Sequence, residues 1–508
     1  MKFGPKVVLT AIAVTAALGL AGCTGTSGAA PGGGETLTIG STVDVQSFDP
    51  AQAELGHFLQ YYQPVYDSLI RREPDGKLVP MLAKSWTYDA SNTHLTLTLR
   101  QGVSFSDGTK VNATAVKTNL DRMRSENGPD ANTVAQISDV TTEGDSRVVV
   151  TLKQPDPSLL TSLATEASFI ASPKALRGDS IATVPVGSGP YELDKASTVA
   201  GSAYTFVKRK NYWDPSIQHY DKIVVKPITD NTAMLNALVS GQVNVAFLDP
   251  KYAAQAKKAG KVDHSNTSDW AGLLIYDRDG KIVPALKDPR VRQAINYALD
   301  RKALRDQVAK GFATVTDQVF SPATPAYDKT LEDAYPYDPA KAKSLMAEAG
   351  YAKGFTVAMP TIPGLVDPAQ TAGISQYLGA IGITVDYQNI AAADFVPSIL
   401  NGKYAMSTFS LYQGTPWQAA NQMITPNADF NPLHATDPTV NDLLSKLQDG
   451  DQSEQDAAAK ALNTYVTQQA WFAPFYRPQN IVYADSGISV QPQAQQSVPS
   501  IYNYAPQK

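Results

Sequence analysis

Apolar residues run almost unbroken from position 7 to position 20, behind a start that carries Lys2 and Lys6. The run is too short to cross a bilayer, which takes about 20 apolar residues, and has the charged front and small-residue exit of a secretory leader. Residues 24–34 are Gly, Ser, Thr, Ala and Pro. Such a stretch buries nothing and reads as a flexible tether. Alternation begins at Thr36-Leu37-Thr38-Ile39-Gly40 and predicts a strand. A turn at Phe48-Asp49-Pro50, a helix over 57–66 and a strand over 94–100 follow. Asn112 is placed to cap a helix over 113–124. Further on, Asp288-Pro289 sets an N-cap before a proline at the first helical position, and Val291, Ala294, Ile295, Ala298 and Leu299 share one face of a helix over 291–310. Asp338-Pro339 repeats the device for 340–349, with Gly350 as the stop. Helices over 368–380, 437–447 and 453–468, with strands over 355–359 and 384–388, predict α/β layers.

The single cysteine changes this picture most. Leu20-Ala21-Gly22-Cys23 resembles the bacterial lipobox, in which the thiol is acylated and the chain cut just before it. The resemblance implies a leader over 1–22, lipidation at Cys23 and a tether over 23–35. The protein would then sit on the outer face of the cytoplasmic membrane, anchored by more than one acyl chain. Formal charge is −5, from 43 Lys and Arg against 48 Asp and Glu, which argues against nucleic acid as a partner. No second stretch is apolar enough to span a membrane. The five histidines are scattered, and His-Glu-x-x-His, Gly-x-Ser-x-Gly and the phosphate-binding glycine loop do not occur. The reading is therefore a binding protein, not an enzyme, with no cofactor and no metal site of its own.

The ordered set of motifs goes further. Leu78-Val79-Pro80-Met81-Leu82-Ala83-Lys84-Ser85-Trp86 precedes Gly102-Val103-Ser104-Phe105-Ser106-Asp107-Gly108-Thr109. Val186-Gly187-Ser188-Gly189-Pro190-Tyr191, Asn211-Tyr212-Trp213-Asp214 and Leu238-Val239-Ser240-Gly241-Gln242-Val243 follow, and then the segments opened by Asp288 and Tyr337. From residue 36 onward the chain resembles the family-5 solute-binding proteins, the oligopeptide, dipeptide and nickel receptors of ABC importers. These motifs are scaffolding that identifies the fold. The resemblance implies an α/β, two-lobe hinged clamp of the periplasmic-binding-protein kind with an additional domain (cluster C type). Lobe I would take 36–60, 185–268 and 472–508, the additional domain 61–184 and lobe II 269–471. The hinge would lie near 268–269 and 471–474.

The implied function is capture of a ligand, by default an oligopeptide or dipeptide, through lobe closure and delivery to the permease subunits of an ABC importer by a monomer. A non-peptide ligand such as an oligosaccharide or metal chelate is the alternative, as is a surface sensing lipoprotein. Ligand contacts are expected from Glu54, after the first strand; from Trp270 and Tyr276, past the first crossing; from Tyr412, Gln413 and Trp417; and from Phe475, Tyr476 and Arg477. Core packing competes for every aromatic in this set. Peptide-binding relatives place an Asp in a Trp-x-x-Asp pattern to hold the ligand's amino terminus, and the matching positions here are Leu411 and Gly414. Removing the carboxylate from a buried ammonium costs about 3–5 kcal/mol. Either Glu54 or another acid substitutes, or the ligand brings no amine to that place. For the anchor, Cys23→Ser is expected to give uncleaved or released protein. Lipid labelling in cells checks this, and continued labelling of the variant would contradict it.

Overall fold

The strand predicted at the start of the folded chain forms as Thr36–Ser41, with Leu37 and Ile39 turned into the core. It belongs to a computed structural model that describes residues 35–507 except 55 and 127. The leader, Cys23 and all of the expected tether but Glu35 lie outside the described residues. Thr36–Ser41 pairs in parallel with Lys222–Pro227 and Val245–Leu248, and Tyr204–Lys208 and Tyr191–Leu193 extend the sheet on one side. On the other side runs a strand of 13 residues, Phe472–Ala484. Its last four residues pair with Val245–Leu248, and its first part pairs with Asp269–Ile275. Asp269–Ile275 in turn pairs with Met406–Tyr412. One sheet thus joins two halves of the molecule through the long strand.

The change of partner along that strand is local. Pro478 faces Ala313, while Gln479 and Asn480 face Thr267 and Asn266. Near its start the register with Asp269–Ile275 shifts between Ala271 and Gly272, opposite Tyr476 and Pro474. A bulge at this place suits Pro474, which has no N–H to give the ladder.

Each half has its own core. Leu37, Ile39, Tyr66 and Phe206 pack on the first half of the sheet. Two clusters are built on the second half: Leu273, Ile295 and Phe475 belong to one, Trp270, Leu274 and Phe472 to the other. A third body is the antiparallel sheet of Ala83–Tyr88, His94–Leu99, Arg147–Leu152 and Ile137–Glu143, backed by the helix Ala113–Ser125. Asn112, Asp288 and Asp338 all cap as expected, each side chain accepting from a first-turn amide. The expected helix over 291–310 divides into Pro289–Ala298 and Arg301–Gln307, because Leu299 is extended and Asp300 caps afresh on Ala303 N. The expected helix over 57–66 is a 3-10 turn, Gly56–Phe58, followed by Leu59–Tyr62. Pro64 lacks the N–H that another turn would use.

The motifs hold these bodies together. Gly187 and Gly189 lie against the backbone of Val65, where a Cβ on Gly187 would meet the Val65 carbonyl oxygen at 1.9 Å. Asp67 accepts from Tyr212 Oη at 2.8 Å and Trp213 Nε1 at 2.9 Å. Arg301 fastens helix Arg301–Gln307 to the long strand by donating from Nε to the Pro474 carbonyl at 2.7 Å. Asp317 Oδ1 lies 2.7 Å from the same nitrogen, an ion pair with no directed hydrogen bond because that proton goes to Pro474. Burial raises the Asp317 carboxyl to about 6 against the pull of Arg301. Arg301→Ala leaves Asp317 buried and uncompensated, so a loss of about 3–5 kcal/mol is expected in urea unfolding. A loss under about 1 kcal/mol would contradict this assignment.

Candidate functional site

Three cavities follow one seam between the four-stranded-sheet body and the helices Pro416–Met423, Pro438–Asp449 and Gln452–Gln468. Their volumes are about 260, 540 and 170 Å³. They share walls: Trp417 lines the first two, Gln448 the last two, and Leu160, Gln452 and Gln455 the first and third. Binding cavities for small molecules span about 300–1,000 Å³ and combine apolar walls with a few placed polar groups. Gln448 crosses the seam, its Nε2 donating to the Pro155 carbonyl at 3.0 Å.

At its inner end the first cavity meets a strap around Gln495. Gln493 Nε2 and Ala494 N donate to the carbonyls of Glu73 and Pro74. From the other side, Asn266 Nδ2 donates to the Gln493 and Gln496 carbonyls. Gln495 stands at φ +55°, in the left-handed region, and donates from Nε2 to the Gly414 carbonyl at 2.7 Å. Tyr412 Oη donates to the Gln495 carbonyl. The strap thus ties segment 73–74 to the edge strand Met406–Tyr412.

Gly414 has a physical cause in its neighbour. Thr415 and Gln418 form a capping box for Pro416–Met423, with Thr415 N donating to Gln418 Oε1 at 2.9 Å. A Cβ on residue 414 would meet Gln418 Oε1 at 2.6 Å and Tyr412 Cε1 at 3.0 Å. The volume that an Asp would need holds the capping glutamine.

Charge gathers instead around the Tyr412 phenol, which feels Arg72, Glu166 and Asp269 together. Glu166 is 2 % exposed and Arg72 is 6 % exposed. Glu166 Oε2 and Arg72 Nη1 have no hydrogen-bond partner. Burial, reinforced by the nearby Asp130 carboxylate, pushes the Glu166 carboxyl up to about 7. Burial also raises Asp269, against a hydrogen bond from Ser268 Oγ at 3.0 Å.

The residues expected at the site divide. Trp417 lines the seam, Tyr412 and Gln413 stand behind it, and Gln413 Nε2 donates to the Val319 carbonyl at 2.9 Å. Glu54 is half-buried beside the Tyr62 phenol. Trp270 packs edge-on against Phe472 in the core, Tyr276 bonds Ser407, and Phe475 and Tyr476 are buried in the same half. Arg477 is held by Glu332 at 2.9 Å and by the carbonyls of Gln318 and Phe320. Pattern reading missed Arg72, Glu166, Asp269 and Gln495. Two carried a signal. Alternation along Ile70–Arg72 turns Arg72 inward, and Glu166 is the one charged residue in the stretch 157–173. Among the described residues no group of three or more His, Cys, Asp or Glu could hold a metal ion, and no helix is long and apolar enough to cross a membrane.

The family profile described as bacterial extracellular solute-binding proteins, family 5, middle, matches residues 77–431. The glutathione-binding protein GsiB of Salmonella typhi is 33 % identical over 354 residues, which are 68 % of this chain and 67 % of that protein. The structure of HbpA2 from Haemophilus parasuis superposes with a TM-score of 0.82 at 21 % identity, covering 93 % of this chain and 100 % of the other. The ABC transporter-associated periplasmic binding protein DppA from Helicobacter pylori, in complex with the peptide STSA, gives 0.71 at 22 % identity and covers 93 % and 98 %. These likenesses show the fold, that of two-lobed periplasmic binding proteins with an additional domain.

Glu166 makes stability depend on pH. Its folded-state pKa lies above the ordinary 4.5, so the native state holds the proton longer than the unfolded chain. Stability therefore falls as pH rises from 4.5 through about 7, then levels off. Glu166→Gln is expected to remove on the order of 3 kcal/mol of that fall, read as the difference between wild-type and variant urea unfolding across this window. Parallel curves for the two proteins would contradict it.

Proposed function

The chain belongs to the bacterial extracellular solute-binding proteins of family 5, which are binding receptors and not enzymes, and from that premise we propose that it captures a solute by closing two lobes. The solute then passes to the permease of an ABC importer. Cys23 carries the lipid that keeps the receptor, a monomer, at the outer face of the membrane. Lobe I comprises 36–60, 185–268 and the C-terminal part, the additional domain 61–184, and lobe II the segment from 269 to the long strand. We place the hinge at 267–269 and, in place of the expected 471–474, at 478–480, where the sheet partners of the long strand change.

The observation that carries this reading is the chain of cavities along the seam. Their walls come from bodies linked covalently only at crossings, so a rotation about those crossings opens or shuts all three together. Polar amides, hydroxyls and the carboxylates of Asp156, Asp451 and Asp456 line them around Trp417 and Leu160, a surface suited to a solute of peptide size. The names of GsiB, for glutathione, and DppA, solved with a peptide, support a small peptide-like ligand. Gly414 favours a second reading, a solute that presents no amine at that place. Trp417 is the proposed ligand-facing residue among those expected; Tyr412 and Gln413 stand behind it, and Glu54 lines none of the three cavities. Trp270, Tyr476 and Arg477 act from the core behind them by holding the sheet.

Ligand binding to the folded state alone raises stability by about 2.7 kcal/mol at 100 times the dissociation constant. Thermal unfolding in the presence of peptide, saccharide and metal-chelate libraries is expected to show such a shift for at least one class. No shift in any library, with no small molecule found by mass spectrometry on protein taken from its own envelope, would contradict the receptor reading.

A further inference from the structure

We propose that a further cavity, on the second half of the sheet, binds an uncharged small molecule with an aliphatic or aromatic body and one hydrogen-bonding group. Its volume is about 610 Å³, and it shares no lining residue with the three seam cavities. The proposal goes beyond the solute-receptor reading and does not rest on it.

The walls are apolar and come from three directions. The strands Asp269–Ile275 and Met406–Tyr412 supply the floor. Ile362, Leu365 and Val366 stand on a tight turn, which Val366 N closes by donating to the Ile362 carbonyl at 3.1 Å and which Gly364 permits at φ +80°. Phe395 and Val396, on the helix Ala392–Leu400, make the third wall. There Phe395 stacks on Phe409 with ring centroids 6.0 Å apart, which fixes the aromatic side of the cavity. Leu365 is 72 % exposed, more than any other large apolar side chain among the described residues, and Val396 is 39 % exposed. Apolar side chains left in water at the mouth of a cavity within the small-molecule range mark a binding place, since a ligand that covers them releases their hydration.

The polar groups fix the charge of the occupant. Among the described residues, none that lines the cavity is Lys, Arg or His, and Asp367 is the ionisable one. The helix Pro368–Gly379 starts at this wall, but its positive end is already satisfied. Asp367 Oδ1 accepts from Ala369 N at 2.8 Å, and the Asp367 carbonyl takes the N–H groups of Gln370 and Thr371. A carboxylate in the cavity would meet Asp367 and hydrocarbon with no cation to balance it. An ammonium would give up its hydration to apolar walls for one carboxylate that the helix cap already engages. Thr408 and Gln370 offer a hydroxyl and an amide, which both donate and accept and so suit one neutral polar group. Volume, wall chemistry and charge therefore agree on a neutral molecule that is mostly apolar.

The test uses the full chain with Cys23→Ser, so that no acyl chain competes for an apolar cavity, purified by unfolding and refolding to remove any carried solute. Calorimetry at pH 7 compares octanamide, hexanamide, octanoate and octylamine. Octanamide is expected to bind about 10-fold or more tightly than either charged probe. Hexanamide should bind about 15-fold more weakly than octanamide, since each buried methylene is worth about fourfold. Leu365→Asp and Val396→Glu, both at exposed positions, should each weaken octanamide about 10-fold or more while the urea midpoint stays unchanged. No binding of octanamide, equal or tighter binding of octanoate or octylamine, or an affinity flat with chain length overturns the inference in the parent protein. Octanamide binding indifferent to both substitutions overturns it too. Each of these outcomes leaves the receptor reading intact, because Leu365 and Val396 line none of the seam cavities.

Discussion

One strand is shared by both halves of this protein, and the rest of the architecture follows from that. Phe472–Ala484 gives its first residues to Asp269–Ile275 and its last to Val245–Leu248. A backbone ladder is stiff against shear and compliant in twist, so two sheet halves that share a strand keep their spacing while their faces can rotate. The ladder is weakest where Pro474 and Pro478 withhold donors, and the register shift at Ala271–Gly272 lies at the first of them. Arg301 reinforces that place by donating to the Pro474 carbonyl. The proposed hinge is therefore anchored on one side by a buried ion pair and left, on the other, with only the short pairings of Asn266 and Thr267.

The same geometry explains why the polar groups of the seam are of two kinds. Along the outer cavities they are mostly amides and hydroxyls, such as Gln448, Gln452 and Thr415, with the carboxylates of Asp156, Asp451 and Asp456 among them. Behind the Gln495 strap they are charges, sequestered where pairing is worth most and its absence costs most. Gly414 marks the boundary. Its missing side chain makes room for the capping box that starts the helix bearing Trp417.

Much of the scaffold was legible because its signals are local. Asp288, Asp338 and Asn112 cap helices within three residues of themselves, and Leu37 and Ile39 alternate within one strand. Site chemistry was far less so, since it depends on residues remote along the chain. Arg477 reads as a free cation beside two aromatics until Glu332, 145 residues away, is found to hold it. Trp270 alternates with Asp269 on one strand, and the pattern alone does not say which of the two turns to the cleft. In the sheet Trp270 packs on Phe472 in the core, and Asp269 stands opposite Tyr412. Arg72 and Glu166 were hidden for the opposite reason: a charge inside an apolar stretch is easily passed over as surface.

The central claim is that the seam is a mouth that shuts on a solute. Pulsed electron–electron resonance between spin labels at Lys153→Cys and Lys446→Cys, in the Cys23→Ser background, measures the gap between the two lips directly. The account predicts a broad or long distance distribution in stripped protein that becomes shorter and narrower when a binding solute saturates the cleft. A distribution unchanged by a solute that calorimetry shows to be bound would contradict it.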